Sequence, residues 1–154
     1  MSILNSKFRV LRGWKPGDVI PAVDNAQAHV TGGVVDTLPA GTVVARHADG
    51  SYVVPAATVT AASAATTKPD IRVVFSGTDD FDSIATGGKI LVARGNFRLK
   101  VSNLAGSQSF PVGGPVSFNT SGQYKDAGSD MIIARVVANN VATDGTIDID
   151  LALN

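Results

Sequence analysis

The chain has 154 residues and a formal net charge of zero, so it can bury one good core or two small cores that share an interface. All 13 acidic residues are Asp, which favours turns over helix interiors, and Lys and Arg are scattered singly rather than clustered as nucleic-acid binding requires. The absence of Cys excludes disulfides and thiolate sites, and no apolar run resembles a membrane span or a secretory signal. We expect a soluble protein that stays where it is synthesised or is assembled there.

The N-terminal segment, residues 1–17, is predicted to be an extended arm. Within it Phe8 and Val10 alternate with basic residues, a pattern typical of a half-buried strand. We expect the arm to add a strand to a neighbouring subunit's exposed edge; the alternative is a first strand paired within its own subunit. Trp14 lies in the loop that follows, where it either caps the edge of the core or anchors a partner.

Residues 18–60 are predicted to form an N-terminal β unit of short strands. These strands are Val19–Ile20, His29–Val35, Thr42–His47 and Ser51–Val54. Asp49-Gly50 is the strongest turn signal, because a type I′ turn needs positive φ at both central positions. A two-residue loop at this position places His47 opposite Tyr52.

Residues 61–68 are predicted to be a linker, and residues 69–154 a C-terminal β unit, with one combined domain as the alternative. Predicted strands in this unit are Pro69–Phe75, Lys89–Val101, Pro115–Phe118, Met131–Val137 and Thr146–Leu153. Gly95-Asn96 interrupts the longest of these, as a bulge or a hairpin turn would.

The last predicted strand has one apolar face and one wet face. The apolar face consists of Ile147, Ile149, Leu151 and Leu153. Asp148 and Asp150 share the opposite face. A strict two-residue turn at Asp144-Gly145 would place Asn140 on the apolar face, so we expect a longer loop from about Asn139, or a bulge.

One hairpin-like sequence pattern occurs twice, in Gly41–Tyr52 and in Gly114–Tyr124. In each, a Gly opens a short β-branched run, a second Gly turns it, and a Tyr follows two residues later. The sequence therefore predicts an all-β protein of small barrel-like or sandwich-like units with hairpins, an extended N-terminal arm and little helix.

Candidate chemical sites are few. Asp79, Asp80 and Asp82 form a carboxylate cluster, but a calcium loop also needs a bidentate Glu, so a solvated turn is the better interpretation. His29 and His47 are far apart in the sequence and lack metal-ligand spacing, which favours surface or edge-strand histidines. No nucleophile elbow or phosphate-binding loop is present. We predict no catalytic, cofactor-binding or metal site, and a protein that is not an enzyme; the rival is a metal-dependent binder or enzyme built on these Asp residues and His47.

A basic edge is predicted around Gly95-Asn96, where Arg94, Arg98 and Lys100 lie close together. It either contacts an acidic partner or discourages unwanted strand pairing. The residues predicted to bind a partner are Phe8, Arg9, Val10, Trp14, Arg94 and Arg98.

Two blocks of the sequence resemble a known family. Leu38–Ala56 and Val112–Tyr124, the latter followed by the strand-like run Ile132–Val137, resemble phrases of tailed-bacteriophage head decoration, or cement, proteins. The resemblance implies a small β-rich, non-enzymatic protein without cofactors that binds the outer surface of the assembled capsid and staples subunits of the major capsid protein. It also implies self-association, with a trimer favoured, and location in the virion after assembly in the host cytoplasm. No nucleic acid, membrane or small-molecule substrate is expected as a partner.

A second function remains open. A fibre or adhesin module that binds cell-surface glycans would present aromatic platforms with adjacent polar groups. Trp14, Tyr52 and Tyr124 are separated in the sequence, although folding could bring them together.

Overall fold

The computed structural model describes residues 8–13, 15–18, 20–55, 70–78 and 87–153. Over these ranges the elements are β1 (Arg9–Arg12), β2 (Ala22–Gln27), β3 (Val30–Thr31), β4 (Val34–Val35), β5 (Val43–Arg46), β6 (Tyr52–Val53), β7 (Ile71–Ser76), β8 (Lys89–Val101), β9 (Pro115–Phe118), β10 (Tyr124–Asp126), β11 (Ala134–Asn140), α1 (Val141–Asp144) and β12 (Thr146–Leu153). The predicted all-β class with little helix is confirmed. Within the same ranges, no helix has the length and apolar character that crossing a membrane requires.

Most of the strands belong to one antiparallel sheet. Its order is β10-β9-β11-β12-β8-β7-β5-β6, and β1 and β2 also pair with β8. The small hairpin β3-β4 forms a separate sheet. Strands from both predicted β units therefore lie in the same sheet.

Strand β8 is paired on both edges in two places, one in each half of the strand. Residues 98–100 pair with β12 on one edge and with β1 on the other. Residues 91–93 pair with β7 on one edge and with β2 on the other. The long strand therefore joins two groups of strands, one at each of its ends.

Gly95 lies where these two groups meet. The pairing with β12 ends at Gly95, and the pairing with β2 begins at Arg94. Gly95 has a φ of +103°, and a Cβ there would lie 2.7 Å from the Ile20 carbonyl oxygen and 2.7 Å from the Pro21 Cα. The predicted hairpin turn is wrong, because the strand continues through this residue. Only glycine combines this backbone angle with so close an approach of another segment.

Two hydrophobic cores lie on opposite faces of the layer formed by β5, β7 and the first half of β8. The larger core receives Val43, Val73 and Ala93, and the smaller core receives Val44, Val74 and Val92. Because successive side chains of a strand point to opposite faces, a layer buried on both sides needs continuous apolar runs. This accounts for the unbroken apolar runs in these three strands.

Phe8 belongs to the larger core. It is 3% exposed, and its ring packs edge-to-face on Phe75 with ring centroids 5.8 Å apart. The strand that follows it, β1, pairs with β8 of the same chain. Residues 8–12 therefore follow the alternative prediction, a first strand paired within its own subunit. Phe8 was predicted to contact a partner, but it lies in the core.

Three local predictions have different outcomes. The predicted strand His29–Val35 is wrong, because β3 and β4 are two short strands joined by a turn at Gly32-Gly33. Strand β2 was not predicted, since most of its residues are exposed or half-buried and give no apolar alternation. The closing hairpin has both predicted features: α1 lengthens the connection, and a register shift lies between Val136 and Ala138.

Replacing Gly95 by Ala tests the junction in β8. We expect a loss of roughly 2–4 kcal/mol in the free energy of unfolding, because the new Cβ combines backbone strain with overpacking against residues 20–21. Urea denaturation measures the change. The matched control is Gly106→Ala, because a Cβ at Gly106 meets no atom within 4 Å, and its effect should stay within about 0.5 kcal/mol. Equal stability of the two variants would contradict this account.

Replacing Phe8 by Ala distinguishes a core strand from a free arm. Removing a buried aromatic side chain should cost about 3–5 kcal/mol, whereas Val10→Ala, at a 47% exposed position in the same strand, should cost less than about 1 kcal/mol. Deleting residues 2–13, which the arm prediction expects to leave a folded protein, should destabilise it strongly for the same reason. A deletion variant with an unchanged melting temperature would restore the arm interpretation.

Candidate functional site

In the described ranges, a group of polar side chains lies at the turn between β5 and β6, and its His and Asp members are close enough to hold a metal ion. It consists of His29, His47, Asp49 and Ser51, which we call the histidine cluster. His47 and Ser51 flank the turn, and the His47 N–H donates to the Ser51 carbonyl at 2.7 Å. His29 reaches the same place from the segment after β2, where its N–H donates to the Tyr52 carbonyl at 2.8 Å.

The turn is one residue longer than predicted. Arg46 rather than His47 pairs with Tyr52, so the predicted register is wrong by one residue. Residues 48–50 form a three-residue loop, and Gly50 at its end has a φ of +91°. This is the loop that combines a type I turn with a left-handed residue. The extra residue brings the side chains of His47 and Asp49 together.

The Asp49 carboxylate lies at the centre of the cluster. Its Oδ1 accepts hydrogen bonds from the Ser51 N–H at 2.9 Å and from the Ser51 hydroxyl at 2.5 Å. Its Oδ2 lies 3.2 Å from the Nδ1 of His29, and its Oδ1 lies 3.2 Å from the Nδ1 of His47. The two imidazole rings stack with centroids 4.1 Å apart.

The hydrogen bonds from Ser51 hold the pKa of the Asp49 carboxyl at about 2, well below its usual value, and the two histidines lower it further. The hydroxyl and the N–H of Ser51 both donate to the charged form, which stabilises it. Asp49 is therefore a carboxylate at neutral pH, and it supplies a negative charge beside two imidazoles.

The cluster does not have the geometry of a Ser-His-Asp catalytic triad. In such a triad the serine and the carboxylate contact different nitrogens of one histidine. Here the Ser51 hydroxyl and the Asp49 carboxylate both approach the Nδ1 of His29, at 2.8 and 3.2 Å. The Ser51 proton also points to Asp49, so the hydroxyl is not activated as a nucleophile. The arrangement suits cation binding rather than acyl transfer.

Sequence reasoning missed this site because it treated the histidines as separate surface residues. The interpretation of His29 and His47 as residues without a common site is wrong, since their rings are in contact. The sequence of the turn, with His47, Asp49 and Ser51 at alternate positions around Gly50, is a local signal that could have found half of the cluster. The bridge between Ala28 and Tyr52, which brings His29 to the turn, has no local signal.

Asp79, Asp80 and Asp82 fall outside the described residues, as do Trp14 and the predicted linker, residues 61–68. The remaining predicted partner residues are described. Arg9 and Val10 are exposed on β1, and Arg94 is half-buried on β8. These residues do not converge on a pocket; they lie along adjacent strands.

The predicted basic edge is paired within the chain. Arg98 makes two hydrogen bonds to Asp150, from Nε to Oδ1 at 2.8 Å and from Nη2 to Oδ2 at 3.0 Å. Lys100 lies 3.4 Å from Asp148 and 3.7 Å from Asp144. The acidic residues on the wet face of β12 therefore neutralise the basic residues of β8.

Exposed apolar side chains follow the outer strands β1 and β2. Val10 is 47% exposed, Leu11 39%, Ile20 71% and Val23 45%. In the described part of the chain, β1 and β2 pair with β8 alone, which leaves one backbone edge of each without a strand partner. Exposed apolar residues beside such an edge are typical of a surface that binds another chain.

Comparisons with protein-family models, curated proteins and solved structures found no match for this chain.

The pair Arg98–Asp150 gives a pH prediction. The hydrogen bond from Arg98 is the main cause of the lowered pKa of Asp150. Because its folded-state pKa is below the unfolded value of about 3.9, the carboxylate stabilises the fold above that pH and loses this contribution as the pH falls through the folded-state pKa. Asp150→Asn should therefore cost up to about 1 kcal/mol at neutral pH, for a partly exposed pair, and progressively less in acid.

Denaturant unfolding of both proteins over a range of pH measures this difference. The control is the double variant Arg98→Met/Asp150→Asn, in which the coupling between the two side chains is absent. A difference between wild type and Asp150→Asn that stays constant from neutral to acidic pH would contradict the assignment.

Proposed function

We propose that the protein decorates the outer surface of a tailed-bacteriophage capsid and stabilises the assembled shell. The proposal rests on the resemblance of residues 38–56 and 112–124 to phrases of cement proteins. One observation supports it most directly. The first block contains the β-hairpin β5-β6, and the second contains β9, the turn after it and the first residue of β10. The hairpins also meet, because the Val43 N–H donates to the Gly122 carbonyl at 3.0 Å.

Because the two hairpins are in contact, the two sequence segments that resemble the family belong to one structural unit. Val43 and Tyr124 both lie in the larger core, and Tyr124 is fully buried. A resemblance confined to turns would concern surface residues only. Here the resembling residues include backbone pairing and core packing, which supports a relation between the whole folding units.

The partner surface in this proposal is the outer edge of β1 and β2. Its exposed apolar residues Val10, Leu11, Ile20 and Val23 can pack against the major capsid protein, and the backbone edge can accept an added strand. Arg9 extends the same surface. Many modest contacts of this kind, repeated by capsid symmetry, give strong total binding.

Self-association as a trimer is part of the proposal, as the resemblance implies. Light scattering after size exclusion measures the mass of the free protein. A trimer would carry three copies of the outer edge of β1 and β2, which would increase its avidity for the shell.

The glycan-binding alternative is disfavoured by the positions of the aromatic residues. Tyr52 is 7% exposed and Tyr124 is fully buried, so neither can present a platform to a sugar. A Tyr124→Ala variant would consequently report on core stability rather than on glycan binding.

Binding to capsid shells tests the proposed function. The protein is mixed with shells assembled from the major capsid protein of the same virus, and pelleted protein is quantified after centrifugation. We expect saturable binding and, in electron microscopy, density over the whole head surface. No binding, or density restricted to the tail or to the vertices, would contradict the proposal.

Matched variants locate the contact. Ile20→Asp should weaken shell binding at least tenfold, because it places a charge on the proposed apolar surface. Val112→Asp is the control, since Val112 is equally exposed at 70% but lies in the connection between β8 and β9, whereas Ile20 lies just before β2. Both variants should unfold at nearly the wild-type denaturant concentration, because both positions are exposed. Equal binding by the two variants would exclude this edge as the contact.

A further inference from the structure

The histidine cluster has the composition and spacing of a metal site. We propose that His29, His47 and Asp49 bind one late first-row divalent metal ion, with Zn²⁺ as the preferred occupant. Each residue offers one ligand atom, and these atoms all lie within 4.8 Å of one another. This inference is independent of capsid binding and would hold for any function of the protein.

The distances fit coordination by one ion. The Nδ1 of His29 and the Nδ1 of His47 each lie 3.2 Å from an oxygen of Asp49. Two ligands of a tetrahedral zinc ion, each bonded at about 2.0–2.1 Å, lie about 3.3 Å from each other. The His29 distance is to Oδ2 and the His47 distance is to Oδ1, so side-chain rotations that bring the three ligand atoms around one point would place an ion between them.

The type of donor selects the type of metal. Imidazole nitrogens suit zinc, copper and nickel, whereas calcium and magnesium prefer sites made only of oxygen ligands. Two imidazoles and one carboxylate therefore exclude a calcium or magnesium site. The carboxylate also supplies one negative charge, which partly neutralises a divalent cation.

An ion would also improve the contacts inside the cluster. The Asp49 N–H donates to the Nδ1 of His47 at 3.3 Å, so this nitrogen presents its lone pair. The same nitrogen faces the Oδ1 of Asp49 at 3.2 Å, which brings two electron-rich atoms together. A cation between them would replace this repulsion by two attractive contacts, and it would take over the lone pair that accepts from the Asp49 N–H. At His29 the ion would take the place of the Nδ1 proton, and the neutral ring would carry its proton on Nε2 instead.

Ser51 is a positioning residue for this site. Its N–H and its hydroxyl both donate to the Oδ1 of Asp49, which fixes the carboxylate and leaves Oδ2 directed towards His29. The backbone of His29 is held on both sides, because its N–H donates to Tyr52 and its carbonyl accepts from Asp36. Ligands fixed by such outer contacts need little reorganisation when the ion binds.

The site keeps an open side. The side chain of Asp49 is 53% exposed, and that of His47 is 32% exposed. Water can therefore reach the ion and complete its coordination, as in zinc sites with three protein ligands. The bound ion would cross-link the segment after β2 to the turn between β5 and β6.

Metal titration of the untagged full chain tests the proposal. Isothermal titration with Zn²⁺ should show one ion per chain, and Co²⁺ should give the intense visible absorption of a tetrahedral site. His29→Gln and His47→Gln should each lower the affinity at least tenfold, and Ser51→Ala by about 10–100-fold, as for other outer-contact residues. The carboxylate control is Asp126→Asn, a change at an exposed Asp in a different turn that should leave the affinity unchanged.

The two histidines give a direct second readout. Since the chain has only these two, their ring proton signals in NMR spectra are simple to assign. Both histidine signals should shift together when Zn²⁺ is added to the wild-type protein. This readout does not depend on whether any variant folds. No uptake of Zn²⁺ at millimolar concentration, unchanged histidine signals, or wild-type affinity in both His→Gln variants would each overturn the proposal.

Discussion

The pairing of β8 on both of its edges is the constraint on which the rest of the fold depends. One half of this strand is held between β12 and β1, and the other half between β7 and β2. The strand can serve both groups only because Gly95 adopts a backbone angle unfavourable to other residues and admits the backbone of residues 20–21. The two groups of strands thereby become one structure, since neither can separate without breaking its pairing to the common strand.

Electrostatics follow the same strand. The basic residues of β8 meet the aspartates of β12 across the sheet, with Arg98 opposite Asp150 and Lys100 opposite Asp148. Such cross-strand pairs of opposite charge favour one register over its neighbours, because a shift by one residue would expose the apolar face and bury the charges. Their main contribution is therefore to the specificity of pairing, since partly exposed ion pairs add little stability.

Several strands could be predicted from the sequence; the bounds of some were accurate, whereas the predicted strand Met131–Val137 begins and ends three residues before β11. The predicted strands Pro115–Phe118 and Thr146–Leu153 coincide with β9 and β12. Alternation in β12 follows directly from one buried and one solvated face. Strand β2 has no such pattern, because its position is determined by the partner strand rather than by its own burial. Arg98 and Lys100 were predicted to lie on a basic edge, but β8 is paired on both edges at these residues, and their acidic partners are 48 to 52 residues further along the chain, beyond any local signal.

The histidine cluster shows how one turn can determine the chemistry of a site. Gly50 allows a three-residue loop, the loop shifts the register by one residue, and the shift puts Asp49 within reach of both imidazoles. Ser51 then has two roles, since its backbone closes the turn and its side chain orients the carboxylate. With a two-residue loop, His47 would pair with Tyr52 and the cluster would not form. The residues of this one turn thus create the geometry on which the proposed metal site rests.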